Sequence, residues 1–174
     1  GEALAEEVRQ NGGEAMAFSC NVTDSESVKA AHEAVLAAFG KCDILINGAG
    51  GNNPRANTDK EYFELGDMEA ETKSFFDLDE AGFRFVMDLN FVGTLLPTQA
   101  FAKDMLDDGG CILNISSMNA YTPLTKIPAY SAAKAGISNF TQWLATHFAG
   151  TNIRCNAIAP GFFLTNQNRA LLID

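Results

Sequence analysis

The sequence predicts an α/β fold, an open parallel sheet covered on both faces by helices. Two observations carry this. Short apolar runs suited to buried strands, at residues 42–47, 111–116 and 153–159, alternate with helix-like stretches of ten or more residues. Connections of that length join parallel neighbours through crossover helices, not hairpins.

Residues 2–11 are helix-like and stop at Asn11-Gly12-Gly13, a glycine stop signal. Residues 14–20 are a short strand candidate. Asn21-Val22-Thr23-Asp24 turns the chain, and Thr23 or Asp24 is placed to cap a helix over 25–39. There Val28, Ala31, Val35 and Phe39 recur at near-helical spacing, and Gly40 closes the helix. Residues 42–47 contain Ile44-Leu45-Ile46, a run suited to a strand buried on both faces. Gly48-Ala49-Gly50-Gly51 follows, then a polar, acidic stretch to about residue 80. That stretch is too long for a plain connection and is expected to be a lid, a binding loop or a disordered segment. A long helix is predicted from about 79 to 106, a strand over 111–116 and a loop over 117–127. Pro128 opens a helix that runs to about 148. The strand over 153–159 is broken by Pro160-Gly161.

The 174 residues make one domain's worth of chain, with 47% hydrophobic and 20% charged residues, a composition that excludes a disordered or fibrous protein. Twelve Lys and Arg against 22 Asp and Glu give a net charge of −10, with no basic run, so neither nucleic acid nor an anionic membrane is an expected partner. No apolar run approaches the roughly 18 residues of a membrane span. Cys20, Cys42, Cys111 and Cys155 are widely spaced without a C-x-x-C pair, as expected of reduced core cysteines in a cytoplasmic protein. His32 and His147 have no ligand-type neighbours at metal spacing, and no metal site is expected.

Open parallel sheets bind ligands at the carboxyl ends of their strands. Here those ends carry Asn21-Val22-Thr23-Asp24, Asn47-Gly48-Ala49-Gly50-Gly51, Ser116-Ser117 and Pro160-Gly161, small or hydroxyl residues that suit the floor for a flat ligand. Tyr130 and Lys134 lie four apart at the start of a helix and share one face. A free tyrosine titrates near pH 10, and a neighbouring ammonium favours the phenolate. The pair is therefore a candidate proton donor and acceptor. Small residues separate and follow it in Tyr130-Ser131-Ala132-Ala133-Lys134-Ala135-Gly136, which leaves room for another group.

With these residues in place, the chain resembles the short-chain dehydrogenase/reductase family over essentially its whole length. Asn47-Gly48-Ala49-Gly50 resembles the family's Asn-Asn-Ala-Gly. Asn90, in Leu89-Asn90-Phe91-Val92-Gly93, resembles the helix asparagine of the catalytic tetrad, and Ser117, Tyr130 and Lys134 match its Ser, Tyr and Lys. Pro160-Gly161 followed by Thr165 resembles the nicotinamide-side Pro-Gly-x-x-x-Thr. The resemblance implies a Rossmann-like doubly wound parallel sheet and an NAD or NADP cofactor. It implies Tyr130 as general acid/base and Lys134 as the group that lowers its pKa and holds the nicotinamide ribose. Ser117 would bind the substrate carbonyl or hydroxyl, with Ser116 as its rival, and Asn90 would hold a water that links Lys134 to solvent. Asn21, Val22, Asn47, Ala49 and Gly50 would border the adenosine half of the cofactor, and Pro160, Gly161 and Thr165 the nicotinamide side.

Asn21 stands where many relatives carry Asp, and Gly48 replaces a second Asn. The family's first strand with its Gly-rich loop, its second strand and its last strand have no counterpart here. The chain is therefore expected to be a single partial NAD(P)-binding domain over 1–174, part of a protein of roughly 270 residues. Residues 15–20 should then lack a partner beside 44–47, and the choice between NAD and NADP is not readable.

Within the family, the chain is most similar to the sugar-acid branch, the D-mannonate oxidoreductases (fructuronate reductases). Asn52, Asn119 and Tyr121 would contact a polyhydroxylated substrate, with Arg55 on its carboxylate. A homodimer or homotetramer is implied, through the helices around 79–106 and 128–149. The alternatives are a gluconate-type 5-dehydrogenase or other polyol dehydrogenase, a catalytically idle dinucleotide binder, an inactive fragment that keeps only those dimerisation helices, and an epimerase or dehydratase that shares Tyr-x-x-x-Lys.

Overall fold

The structure, a computed structural model, describes residues 1–162. Helix α1 (Glu2–Gln10) ends at Asn11, and Gly12 takes a φ of +83°, the left-handed region that glycine enters without strain. Helix α2 (Ser25–Phe39) is capped by Asp24, whose carboxylate accepts from the Glu26 and Ser27 backbone N–H groups; Gly40, at φ +81°, ends it. Strand β1 (Ile44–Asn47) follows. The polar stretch after it folds into short 3-10 turns at Pro54–Ala56, Leu65–Glu69 and Phe75–Asp77.

The predicted long helix is a continuous helical run with a changing pitch. Asp79 caps α3 (Glu80–Met87), one π-turn covers Asp88–Val92, α4 (Gly93–Phe101) resumes the α pitch, and a 3-10 turn at Ala102–Met105 closes the run. Strand β2 (Gly110–Ile115), helix α5 (Pro128–His147) with Pro128 in its first turn, and strand β3 (Ile153–Ile158) complete the described chain.

The sheet is parallel, in the order β1-β2-β3. Its register pairs Asn47 with Asn114 and Ile115 with Ile158, so the strands end together at one edge. One core cluster, Ala102, Met105, Ile112, Leu144, Ile153 and Cys155, joins the sheet to α5 and the end of the α4 run. A second, Ala56, Val86, Ala129 and Ala133, lies between α3, α5 and the Pro54–Ala56 turn, with the Tyr130 ring packed against it.

Two expectations are corrected. Residues 14–20 form no strand, because no described strand offers their backbone a ladder. Strand β1 is not buried on both faces. It is the sheet edge, with Ile44 65% and Ile46 59% exposed, and only Asn47 is buried. All four cysteines are free thiols. Among the described residues no three His, Cys, Asp or Glu side chains gather as a metal site would require. His32 instead meets the Asp104 carboxylate at 2.9 Å and the Phe101 ring edge-on. No described helix is long and apolar enough to cross a membrane.

Candidate active site

The carboxyl ends of the three strands make the floor of the site. Gly48, Ala49 and Gly50 beyond β1, and Pro160 and Gly161 beyond β3, are exposed. The ends of β2 and β3 are tied together: Ser116 N donates to Ile158 O at 2.8 Å and Met118 N to Pro160 O at 3.0 Å. Ser117 and Pro160 are therefore held side by side.

Helix α5 brings Tyr130 and Lys134 to this floor. The Lys134 ammonium donates to the Ile115 carbonyl at 2.8 Å and lies 5.5 Å from the centre of the Tyr130 ring. It is 4% exposed and has no carboxylate within 4.0 Å among the described residues. Burial disfavours its charge and pulls its pKa down to about 8.

Asn90 enters from the other side. It is fully buried in the π-turn, a helix irregularity common at functional sites. Its amide donates to Gly51 O at 2.7 Å and Val86 O at 2.8 Å, and its Oδ1 accepts from Gly51 N at 3.2 Å. Both amide protons are thereby engaged, and one lone pair of Oδ1 remains for a water. Gly50 is where Asn90 and Lys134 converge. A Cβ there would come to 2.7 Å from Asn90 Oδ1 and 3.2 Å from Lys134 Nζ, so glycine is what lets the backbone pass this close.

The two serines have different surroundings. Ser116 Oγ donates to Lys134 O at 3.1 Å and lies 2.6 Å from Ser138 Oγ, so it fastens β2 to α5. Ser117 Oγ accepts one bond, from Asn119 N at 3.2 Å, and keeps its own proton. Asn119 is buried, with Oδ1 unpartnered among the described residues. Tyr121 is exposed, just after the one-turn 3-10 helix Met118–Ala120 that carries Asn119.

The adenosine-side candidates divide. Val22 lines a cleft of about 200 Å³ together with Asn47, Gly48 and Ala49. Asn21 is exposed, and its Oδ1 accepts from Thr23 N and Oγ1, the work of a turn former. The Asn47 side chain points its chemistry into the core: Nδ2 donates to Thr98 Oγ1 at 2.9 Å and Asn114 Oδ1 at 2.8 Å. Its amide protons are thus spent, and its backbone and Oδ1 are what remain to border a ligand.

Two substrate candidates are likewise engaged elsewhere. Arg55 pairs with Asp79 at 2.9 Å, because the turn that carries it packs on the start of α3. Asn52 donates to Asn57 Oδ1 at 2.9 Å. Thr165 lies outside the described residues.

Sequence reasoning missed a buried polar ladder behind the site. Thr94 Oγ1 donates to Asn90 O, Thr98 Oγ1 to Thr94 O, Asn47 to Thr98 and Asn114, Asn114 to Thr141, and Thr141 to Ile137 O. It runs from the π-turn through the sheet to α5. Two signals were present: Asn90, Thr94 and Thr98 recur at four-residue spacing, and Asn114 is a lone amide in an apolar strand, which must find partners.

With this geometry in place, comparison with known proteins is specific. The family profile of the short chain dehydrogenases matches residues 1–173, and the chain belongs to that family. It is 59% identical over 174 residues to an uncharacterized oxidoreductase of Haemophilus influenzae, covering 99% of this chain and 61% of that one. It is 53% identical over 175 residues to an uncharacterized oxidoreductase, UxuB, of Bacillus subtilis, covering 100% of this chain and 62% of the relative. A solved structure from Haemophilus influenzae, provisionally described as a D-mannonate oxidoreductase with bound NAD, superposes with a TM-score of 0.93 at 59% identity, over 99% of this chain and 61% of the other. The chain thus spans about three fifths of the length of the relatives it matches.

Proposed function

We propose that the whole protein is an NAD(P)-dependent oxidoreductase that interconverts a keto-sugar acid and its hydroxy form, with D-fructuronate and D-mannonate as the pair. The observation that carries this is the convergence of Ser117, Tyr130, Lys134 and the Asn90–Gly50 contact at one strand edge. The likeness to the NAD-bound Haemophilus protein supports the choice of substrate.

The residues present suit the nicotinamide–ribose half of the cofactor. Lys134 has donor capacity beyond its bond to Ile115 O, beside the open floor of Gly48 to Gly50, Pro160 and Gly161. When bound, the nicotinamide supplies a hydride to the carbonyl carbon or takes it back. In reduction Ser117 donates a hydrogen bond to the substrate carbonyl oxygen and orients it. The Tyr130 hydroxyl gives its proton to that oxygen, the O–H bond of Tyr130 breaking as the product's forms. Lys134 holds the ribose and favours the phenolate so produced. A water on Asn90 Oδ1 returns a proton towards Lys134 and Tyr130 from solvent.

Residues 1–174 form part of a single NAD(P)-binding domain in this reading, and the protein works as a homo-oligomer in the cytoplasm. An apolar groove between α4 and α5, lined by Leu95, Leu106, Phe140, Trp143 and Phe148, supports pairing through these helices.

The test is a substrate panel. The full protein with NADH or NADPH should reduce D-fructuronate with a kcat/KM at least tenfold above 5-ketogluconate and a neutral ketose. Preference for 5-ketogluconate would favour the gluconate-type 5-dehydrogenase, and preference for the neutral ketose a polyol dehydrogenase.

A further inference from the structure

We propose that Lys73 is a positioning residue, a clamp on the Pro54–Ala56 turn that fixes the catalytic groups Asn90 and Tyr130 from the outside. This rests on the reading of those two residues given above.

Lys73 belongs to the acidic arm between β1 and α3, far in sequence from Tyr130. Its ammonium donates to Arg55 O at 2.6 Å and to Pro54 O at 3.1 Å. Its own backbone is pinned on both sides by Asp59: Lys73 N donates to the Asp59 carboxylate at 2.8 Å and Asp59 N to Lys73 O at 2.9 Å. The arm therefore presents this ammonium to the turn at a fixed place. Two carbonyls are unusual partners for a cation that has nine arm carboxylates to choose from across residues 57–80.

The clamped turn touches the site in two directions. Towards β1, three residues separate Gly51 from the clamped carbonyl of Arg55, and Gly51 makes two of the hydrogen bonds that orient the Asn90 amide. Towards α5, the turn inserts Ala56, fully buried, into the cluster against which the Tyr130 ring packs. The start of α3 closes the clamp from behind. Asp79 N donates to Arg55 O at 3.2 Å, the Asp79 carboxylate holds the Arg55 guanidinium, and Gly82 leaves no room for a Cβ against Arg55. Thr58 N donates to Lys126 O at 3.0 Å and ties the arm to the loop just before α5. Without the Lys73 ammonium, the Pro54 and Arg55 carbonyls lose their common donor, and the turn is held against a shift relative to both catalytic groups only by its contacts with α3 and residue 126. A displacement of about 1 Å at such groups can cost on the order of a hundredfold in rate.

The experiment compares the full protein with Lys73→Met and Lys73→Arg in two readouts. In turnover, Lys73→Met should lower kcat about tenfold or more with KM changed less than about twofold. Its kcat–pH midpoint should move upward as the Tyr130 ring shifts away from the Lys134 ammonium that favours its phenolate, and Lys73→Arg should restore most of both. In hydrogen exchange, protection should fall at residues 51–57 and 88–92 in Lys73→Met and return in Lys73→Arg. A Lys73→Met variant that melts earlier but keeps kcat and its pH profile would overturn the clamp, as would a change in KM alone, which would make Lys73 a substrate contact. Should the wild-type protein turn over no keto-sugar acid, the function reading fails separately. The exchange result then decides the clamp: unchanged protection at 51–57 overturns it, and loss that Arg restores upholds it.

Discussion

The Lys134 ammonium rests on the Ile115 carbonyl at 2.8 Å, while its burial drives its pKa down to about 8. Helix α5 thus holds a cation whose charge is less favourable in the folded state than in water. The folded pKa is depressed below the usual lysine value, so between about pH 8 and 10.5 the unfolded chain binds more protons than the folded one. Stability attributable to this group rises across that window. Relative to Lys134→Met, the natural chain should gain about 2–3 kcal/mol from pH 8 to 10.5. Urea midpoints of both proteins across that range check it, and parallel pH curves would refute it.

Gly50→Ala is expected to harm activity more than stability. The new Cβ would press on Asn90 Oδ1 and Lys134 Nζ, both members of the proposed proton path. We expect kcat to fall by about tenfold to a hundredfold. A variant with native kcat would show that the Gly50 approach has no part in catalysis.

The adjacent serines should separate cleanly. Ser117→Ala removes the hydroxyl with a proton to spare and should lower kcat by about a hundredfold, at a stability cost of about 1 kcal/mol because Asn119 N loses its acceptor. Ser116→Ala breaks the bonds to Lys134 O and Ser138 and should cost about 1 kcal/mol, with the smaller effect on kcat. Steady-state rates of the two variants distinguish these outcomes, melting curves check the stability costs, and a reversed pattern in kcat would reassign the serine role.

Asn114 should be the stability residue of the site. Asn114→Val leaves one of the two Asn47 amide protons without its acceptor, the other staying on Thr98, and leaves Thr141 Oγ1 without its donor. A loss of about 2–4 kcal/mol is expected from two unpaired buried groups. Denaturant unfolding measures it directly, and a loss below about 0.5 kcal/mol would mean that the ladder relaxes around the gap.

What could be seen in the sequence was whatever local spacing decides. Tyr130 and Lys134 meet because Pro128 starts a helix and four residues make one turn, and Asp24, one of the two candidate caps, does cap α2. What depends on distant chain was hidden. Residues 14–20 have the pattern of a strand, and only the resemblance to the family, not their own β-propensity, gave the expectation that they lack a partner beside 44–47. Arg55 looked available until Asp79, 24 residues on, took its guanidinium. Asn47 looked like a ligand contact until Thr98 and Asn114 claimed its amide. The π-turn at Asn90 leaves no mark in hydrophobic periodicity, since it adds only one residue to a turn.

In the proposed reaction Tyr130 exchanges the proton that accompanies hydride transfer. The most direct test is the reduction of D-fructuronate by the full protein and by Tyr130→Phe, with cofactor binding measured on both. We expect kcat to fall by about a thousandfold or more while cofactor affinity changes little. Turnover that survives Tyr130→Phe unchanged would contradict it.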